Sequence, residues 1–316
     1  MSEADWFGDG NEPAQGPIAV RARPAVLSWA ELMAQPADPP PQLCPGVPKV
    51  GVTVIAGAPK VGKTLLLSQR ALEVRQPVLL VIEEGSLAGI SYRLRRQAAE
   101  LGISNPPIHV MHRQRVRLDD HASVRRLRGH VEDVGAVFVG LDPLNKLHGA
   151  DENRPAQMTP VMESLAGIAY DYSCAVVAAH HLAKPSAERR GDVWDRFRGA
   201  GAIRSGTDAN LALDGSGERV RLVGEFRDAE PLAMWLELDR DALLFTEAEP
   251  PDAPAKVDPM ALRAYVEERG QVTARQVMEQ FGVVKGTALS ALRALGCDEY
   301  SGARGQLVFT LGVTVQ

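Results

Sequence analysis

An eight-residue glycine-rich motif restricts the fold of this chain more than any other feature. It fits the pattern G-x-x-x-x-G-K-[ST] and consists of Gly57, Ala58, Pro59, Lys60, Val61, Gly62, Lys63 and Thr64. An apolar run precedes the motif and a stretch with helical periodicity follows it. The glycines let backbone N–H groups turn toward an anion, and the helix N-terminus adds partial positive charge. The motif predicts a phosphate-binding loop (P-loop); a glycine-rich turn without a ligand is the weaker alternative.

A strand-end aspartate complements this loop. The apolar run 137–141 ends in Asp142, although an aspartate there can also simply begin a turn. In P-loop enzymes the motif lysine reaches the β- and γ-phosphates, while the motif hydroxyl and such an aspartate hold Mg²⁺. We therefore expect ATP and Mg²⁺ as cofactors, with Lys63 at the phosphates and Thr64 and Asp142 at the metal. Pro143 follows Asp142, which argues against the AAA+ arrangement of adjacent Asp and Glu.

Two further strand ends carry polar residues that suit hydrolysis. Glu83 and Glu84 end the strand after the P-loop helix, and a carboxylate there can orient a water for in-line attack. The other carboxylate of the pair is then a solvated loop charge. His180 and His181 end a later apolar run, where one of them can contact the γ-phosphate; a structural pair is the alternative.

The hydrophobic pattern predicts an α/β fold. Four runs are apolar throughout, as in strands buried on both faces: 51–56, 78–82, 136–141 and 175–179. Helical periodicity appears in stretches between and beside them, at about 63–74, 86–102, 120–133 and 157–170. This alternation predicts a mainly parallel sheet flanked by helices. After residue 208, the stretches 210–213, 219–226, 231–238 and 242–246 predict an antiparallel extension.

Proline-rich segments divide the chain. Residues 1–48 hold 9 of the 22 prolines and six acids against two bases, which predicts a largely disordered segment with a short helix near 26–32. Residues 249–257 are predicted to be a stiff proline-rich linker. The predicted domains are therefore an ATPase domain at 49–248 and a small C-terminal domain at 258–316.

Composition excludes several other classes of protein. Hydrophobic residues make up 45% and charged residues 24%, as in globular proteins. The N-terminus lacks a signal-peptide pattern, and no apolar run approaches a membrane span, so we expect no membrane partner and a cytoplasmic location. The three cysteines form neither a metal knuckle nor a disulfide framework. A net charge of -5 excludes a globally basic coat for nucleic acid.

The order of these motifs resembles the RecA-type ATPases, and most closely the RepA-like hexameric helicases of plasmids and phages, relatives of the DnaB-type helicases. In that family an Arg-Leu pair follows the strand-end glutamate by nine residues, and Glu84 with Arg93-Leu94 has this spacing. The resemblance covers about residues 27–247, and its other matches are 142–148, 151–153, 180–184 and 198–202. It implies a RecA-like fold, Glu84 rather than Glu83 as the catalytic glutamate, and His181 as the γ-phosphate sensor.

The resemblance also implies a homo-oligomer, with a hexamer favoured, in which an arginine enters the neighbouring nucleotide site. DnaB-type helicases carry Lys-Asn-Arg before a turn, and the comparable stretch here is Glu225-Phe226-Arg227. Arg227 fits this pattern, but Glu225 replaces the lysine and puts a two-pronged finger in doubt. Arg198 and Arg204 are the other candidates, and a surface arginine without this role is the alternative.

Basic loops are the candidate contacts for DNA. In the resembling helicases, loops after the strands line a central channel for single-stranded DNA. The loop 184–198 is the better candidate here, with Lys184, Arg189 and Arg190, while the loop 145–156 offers Lys146, His148 and Arg154. Residues 93–128 carry nine arginines against three acids, which suits a nucleic-acid track, a subunit interface or solvated helix faces.

The C-terminal segment shows the start and stop signals of three helices, followed by a hairpin. Asp258 and Thr273 are predicted N-caps, and Gly282 a predicted helix end. This order resembles a winged helix-turn-helix, whose third helix enters the major groove of duplex DNA. The third helix would expose Lys285, Thr287, Ser290 and Arg293. Bases and acids are nearly balanced here, so DNA binding and protein contact during ring assembly both stay open.

Together these features predict Mg²⁺-dependent ATP hydrolysis coupled to DNA, as in a RepA-like ring helicase or a replication or recombination motor. An ATP-gated DNA-binding regulator, or a scaffold that uses nucleotide to set its oligomeric state, is the alternative without unwinding activity.

Overall fold

The protein is described by a computed structural model. It covers residues 26–35, 40–182, 193–196, 200–215, 217, 219–250, 257–283, 285–302 and 307–311, with the backbone alone at 195 and 200. No helix within these ranges is both long enough and apolar enough to cross a membrane. The chain forms two compact units, Met1–Glu249 and Pro250–Gln316.

The first unit contains six helices and eleven strands within its described residues. The helices are α1 (Trp29–Met33), α2 (Lys63–Glu73), α3 (Leu87–Glu100), α4 (His121–Val134), α5 (Pro155–Asp171) and α6 (Ala200–Ser205). The strands are β1 (Gln42–Cys44), β2 (Val47–Pro48), β3 (Gly51–Gly57), β4 (Val78–Ile82), β5 (Ile108–His112), β6 (Phe138–Asp142), β7 (Ala175–His181), β8 (Ala209–Asp214), β9 (Arg219–Phe226), β10 (Leu232–Asp239) and β11 (Leu244–Ala248).

Nine of these strands form one sheet in the order β11-β10-β9-β8-β3-β7-β6-β4-β5. The strands from β8 to β5 are parallel to one another, and β9, β10 and β11 are antiparallel. The predicted parallel sheet with an antiparallel extension is therefore confirmed. One strand differs: β8, predicted with the antiparallel group, pairs in parallel with β3. The parallel region of the sheet therefore extends beyond the P-loop strand β3 to include β8.

The apolar pattern explains the layers. Strands β3, β4 and β6 are buried along their whole lengths, because helices cover both faces of the sheet. Side chains of α2 and α3 pack in one apolar cluster, and those of α4 and α5 pack in the other. Strand β5 was not predicted. It lies at the edge of the sheet and none of its residues is fully buried, so its sequence lacks the continuous apolar run of its neighbours.

Residues near the N-terminus contribute to the first unit. Strands β1 and β2 pair antiparallel within the segment that composition predicts to be largely disordered, and Cys44 and Val47 are buried against the sheet. The predicted short helix is α1, which Ser28 and Glu31 close with a capping box. Its apolar side chains, including Trp29 and Met33, are exposed. Residues 1–25 and 36–39 lie outside the described residues.

The second unit has an apolar core of its own. Its elements are α7 (Pro259–Arg269), β12 (Val272–Thr273), α8 (Ala274–Phe281), α9 (Lys285–Ala294), β13 (Cys297–Ser301) and β14 (Leu307–Leu311). The strands form a three-stranded sheet in the order β12-β14-β13. Asp258 and Thr273 cap α7 and α8 through their side chains, and Phe309 is fully buried among the helices.

A buried glutamine ties the antiparallel extension to the P-loop helix. The Gln69 amide nitrogen donates to the Phe245 carbonyl over 2.9 Å, and the Phe245 N–H donates to the Gln69 amide oxygen over 2.8 Å. Gln69 thus satisfies both backbone groups of Phe245 in a buried place. This pair of bonds holds β11 against α2 just behind the P-loop.

We predict that Gln69→Leu lowers the free energy of unfolding by about 2–4 kcal/mol. Each buried backbone group left unpaired costs about 1–3 kcal/mol, and leucine recovers a part through apolar burial. Urea denaturation followed by circular dichroism measures the change. The matched control is Gln76→Leu at an exposed position, which should change stability by less than about 0.5 kcal/mol. Equal stabilities of the two variants would contradict this role of Gln69.

Candidate nucleotide site

The P-loop has the backbone shape that an anion site needs. It connects β3 to α2, and Lys60 and Gly62 have left-handed φ angles of 65° and 103°. A Cβ at Gly62 would lie 2.5 Å from Phe245 Cζ, so only glycine fits between the loop and β11. The N-cap of α2 is Gly62, and no side chain of the described residues caps this helix. The N-terminus of α2 is therefore open to a phosphate group, as the P-loop motif predicts.

Lys63 is held inside the loop. Its Nζ donates to the carbonyl oxygens of Gly57 over 3.1 Å and of Ala58 over 2.9 Å. Burial lowers the pKa of the Lys63 ammonium, against the opposing effect of the carboxylates of Asp142 and Glu84. A buried cation that donates to neutral carbonyls suits an anionic ligand, because phosphate oxygens compensate its charge better.

Asp142 ends β6 beside Thr64. It is 7% exposed, and its pKa is raised chiefly by burial, although a hydrogen bond from Thr64 and the charges of Arg93 and Lys63 act in the opposite sense. A hydroxyl and one carboxylate suit Mg²⁺, which keeps several waters and takes further oxygens from substrate phosphates. The residues present therefore fit Mg²⁺ bound together with a nucleotide.

The two glutamates after β4 differ in their surroundings. Glu83 accepts a hydrogen bond from the Val116 N–H over 3.1 Å, and its own N–H donates to the Asp142 carbonyl over 3.0 Å. Glu84 is exposed, its carboxylate lies 3.9 Å from Lys146 Nζ, and its charge acts on both Lys63 and Asp142. Glu83 is thus engaged in the backbone of the site, while Glu84 is exposed and its charge reaches Lys63 and Asp142. This difference favours Glu84 for the water.

The end of β7 lies next to the start of the P-loop. His181 stands opposite Gly57 in the parallel register, and the Leu182 N–H donates to the Gly57 carbonyl over 3.1 Å. His180, opposite Ala56, is buried. Of the two histidines, His181 is therefore the one opposite the first residue of the P-loop.

A carboxylate lies between two buried histidines near this strand end. Glu152 Oε1 is 3.9 Å from both His148 Nε2 and His180 Nδ1. Burial lowers the pKa of His148, so its neutral form is favoured. The expectation that His148 contacts DNA is wrong, because its side chain is buried.

Both described arginine-finger candidates make contacts within the chain. Arg227 donates to the Thr207 carbonyl over 3.2 Å and lies 3.7 Å from Asp208, with 55% of its side chain exposed. Arg204 forms a two-pronged ion pair with Glu225 at 2.6–3.0 Å, and its guanidinium lies 5.4 Å from the centre of the Trp194 ring. Glu225, the residue in place of the family lysine, thus holds Arg204.

The remaining DNA and finger candidates divide into two groups. Lys184, Arg189, Arg190 and Arg198 lie outside the described residues. Several arginines of 93–128 have structural partners: Arg96 donates to the Asp241 carbonyl, Arg117 pairs with Asp119, and Arg128 pairs with Asp171. This segment is therefore available as a basic surface only in part.

In the second unit, the third helix α9 carries the two DNA candidates. Lys285 and Arg293 are both exposed. Arg293 donates to both oxygens of Glu299 on β13 over 3.0 and 3.1 Å, which neutralises much of its charge. Of the two candidates, Arg293 is therefore the one whose charge is already paired within the unit.

A family model described as an AAA domain matches residues 19–187. The chain belongs to this family of AAA domains. Together with the P-loop geometry, the match makes it a P-loop NTPase. Pro143, and not an acid, follows Asp142. This difference bears on which residue can orient the attacking water, and it does not change the family assignment. No curated protein matches the chain.

The fold is similar to that of solved proteins, and two of them serve as examples. The ATPase domain of G40P has a TM-score of 0.51 at 17% identity, covering 64% of this chain and 86% of that one. A DnaB-like replicative helicase has a TM-score of 0.50 at 17% identity, covering 63% of this chain and 57% of the helicase chain. These likenesses confirm the predicted RecA-like fold of the first unit.

Some contacts of the site leave no signal in the sequence. Neither the packing of Phe245 on Gly62 nor the bond from Val116 to Glu83 could be read from spacing, since both join distant segments. For Arg93, whose charge acts on Asp142, the signal was its place in the family pattern.

We predict that Asp142→Asn stabilises the nucleotide-free protein at pH 7.5 and abolishes Mg²⁺-dependent turnover. Because the folded pKa of Asp142 is raised, ionisation costs stability above that pKa and nothing below the unfolded value. A gain of 1 kcal/mol would raise the melting temperature by about 2–4 °C. The difference from wild type should shrink as the pH falls toward about 4. A lower melting temperature of the variant at pH 7.5 would contradict the assigned cost.

Proposed function

We propose that this protein is a Mg²⁺-dependent ATPase that acts on DNA, as a ring-forming helicase or a related replication or recombination motor. The observation that carries the proposal is the meeting of Lys63, Asp142 and Glu84 at the carboxyl ends of parallel strands, where their charges act on one another. Open α/β sheets bind ligands at this edge.

Each residue has a role that its surroundings support. Lys63 and the backbone N–H groups of 57–64 hold the phosphates, since the loop is open at the α2 N-terminus. Thr64 and Asp142 would hold Mg²⁺, which would neutralise charge on the phosphates and orient them. Glu84 accepts a hydrogen bond from the attacking water and positions it, while Glu83 stays bonded to the Val116 N–H.

Two roles lie at the margins of the site. His181 reports the presence of the terminal phosphate, supported by its place opposite Gly57. An arginine of a second copy, Arg227 with Arg198 and Arg204 as alternatives, stabilises charge in the transition state. Arginine fingers supply about 10³–10⁵-fold in rate. Such a residue requires an oligomer, and we propose a homo-hexamer in the cytoplasm.

The proposed nucleic-acid partner is single-stranded DNA. The likeness in fold to a DnaB-like replicative helicase that interacts with primase supports a role in replication. Lys184, Arg189 and Arg190 would contact the backbone in the channel. For the second unit we propose a winged-helix domain that contacts duplex DNA through Lys285 and Arg293 on α9.

The second unit also supports the alternative function. It is compact and has its own apolar core, so it can act as a separate binding module. An ATP-gated regulator would bind duplex DNA through this unit, hydrolyse ATP slowly and unwind nothing. A scaffold would use nucleotide only to set its oligomeric state.

We predict that Lys63→Ala and Glu84→Gln each lower the rate of ATP hydrolysis by at least about 100-fold, the typical effect of losing one preorganised group. Glu84→Gln should retain binding of a fluorescent ATP analogue, whereas Lys63→Ala should lose it. Phosphate release and fluorescence titration measure the two effects. Lys49→Ala, at an exposed position, is the control. Wild-type hydrolysis in either variant would refute the mechanism.

We predict ATP-dependent displacement of a strand from one of two forks, tailed at the 5′ or the 3′ end, and its loss in Lys63→Ala. Binding of duplex DNA without unwinding would favour the regulator.

Native mass spectrometry with and without ATP tests assembly: a ring motor predicts an oligomer with ATP. A monomer under both conditions would exclude the ring.

A further inference from the structure

The turn that carries Glu84 is fixed on both sides. Glu83 links it to Asp142 and to Val116, as described above. The Gly85 carbonyl accepts a hydrogen bond from Arg113 Nε over 3.2 Å and lies 3.1 Å from His112 Nε2. The backbone at Glu84 is therefore held from β6 and from the segment after β5. The remaining freedom of Glu84 is in its side-chain torsions.

The segment that clamps this turn is itself strained. Arg113 and Arg115 have left-handed φ angles of 52° and 53°, which residues other than glycine rarely adopt. Strained backbone persists where the surrounding contacts fix it, and it is common at functional sites. The clamp thus keeps the turn in one conformation.

The Glu84 charge acts on one cation of the site, and its carboxylate lies near a second cation. In the nucleotide site, its charge acts on Lys63. Toward solvent, its Oε1 lies 3.9 Å from Lys146 Nζ, and the two side chains are 52% and 55% exposed. An exposed pair at this distance shifts an equilibrium by at most about fivefold. It is weak enough to be exchanged for another partner.

Lys146 is placed where a ligand can reach it. It ends a short 3-10 turn, Leu144–Lys146, directly after β6. Leu144 and Leu147 are buried and anchor the turn, while the lysine side chain extends from it into solvent. Its flexible stem and compact charge suit a phosphate group of a nucleic-acid backbone.

We propose that Lys146 is a latch on Glu84 that nucleic acid releases. Without nucleic acid, Lys146 draws the Glu84 carboxylate toward solvent and away from the water beside the terminal phosphate. When a backbone phosphate forms an ion pair with Lys146, the Glu84 carboxylate turns back toward the nucleotide. Lys146 thus couples the partner to hydrolysis without contacting the nucleotide. This inference rests on the proposed function, because it requires Glu84 to position the water.

The test is the ATPase rate of wild type, Lys146→Ala and Lys146→Arg, each with and without oligothymidylate. Lys146→Ala should raise the basal rate by up to about fivefold, the limit set by an exposed ion pair. Oligothymidylate should then leave the ATPase rate of Lys146→Ala almost unchanged. Lys146→Arg should keep both the low basal rate and the stimulation, and Lys49→Ala should behave as wild type.

Salt provides an arm that needs no DNA. Salt screens exposed ion pairs. Raising the salt concentration from about 0.05 M to about 0.5 M should therefore bring the basal rate of wild type closer to that of Lys146→Ala measured at the same salt concentration. A basal rate of Lys146→Ala equal to or below that of wild type would overturn the latch, as would stimulation equal to that of wild type. If wild type hydrolyses ATP but Glu84→Gln does so equally well, the proposed function fails first.

Discussion

The structure depends on keeping charged groups inside the sheet edge where β3, β4 and β6 end. Lys63 is buried and donates to two carbonyl oxygens, and Asp142 is buried beside it. Burial opposes both charges, lowering one pKa and raising the other. Burying these charges costs free energy, which a bound phosphate and metal would offset. We therefore see the site as prepared for its ligand.

The scaffold around these charges is built for rigidity. The parallel strands bring their carboxyl ends to one edge, and Gln69 and Phe245 fix the P-loop helix and its glycine from the antiparallel side. The segment after β5 clamps the turn of Glu84. Three distant parts of the chain thus set the geometry of one site, which preorganises it for a transition state.

The sequence was sufficient for what depends on local pattern. Continuous apolar runs located the buried strands, and the P-loop motif located the candidate nucleotide site because its glycines and lysine lie within eight consecutive residues. Edge strand β5 was missed because exposure removes the pattern, and the parallel pairing of β8 was missed because strand direction depends on a long crossover. The contacts of Glu83, Phe245 and Glu225 were missed because their partners are distant in sequence.

The most direct measurement is a crystal structure with Mg²⁺ and a non-hydrolysable ATP analogue. We predict that Lys63 Nζ leaves the Gly57 and Ala58 carbonyls for the β- and γ-phosphate oxygens, with the metal at Thr64 and Asp142. With oligothymidylate also in the crystal, we predict the Glu84 carboxylate on the side of the terminal phosphate. A nucleotide bound elsewhere, with Lys63 still on both carbonyls, would contradict it.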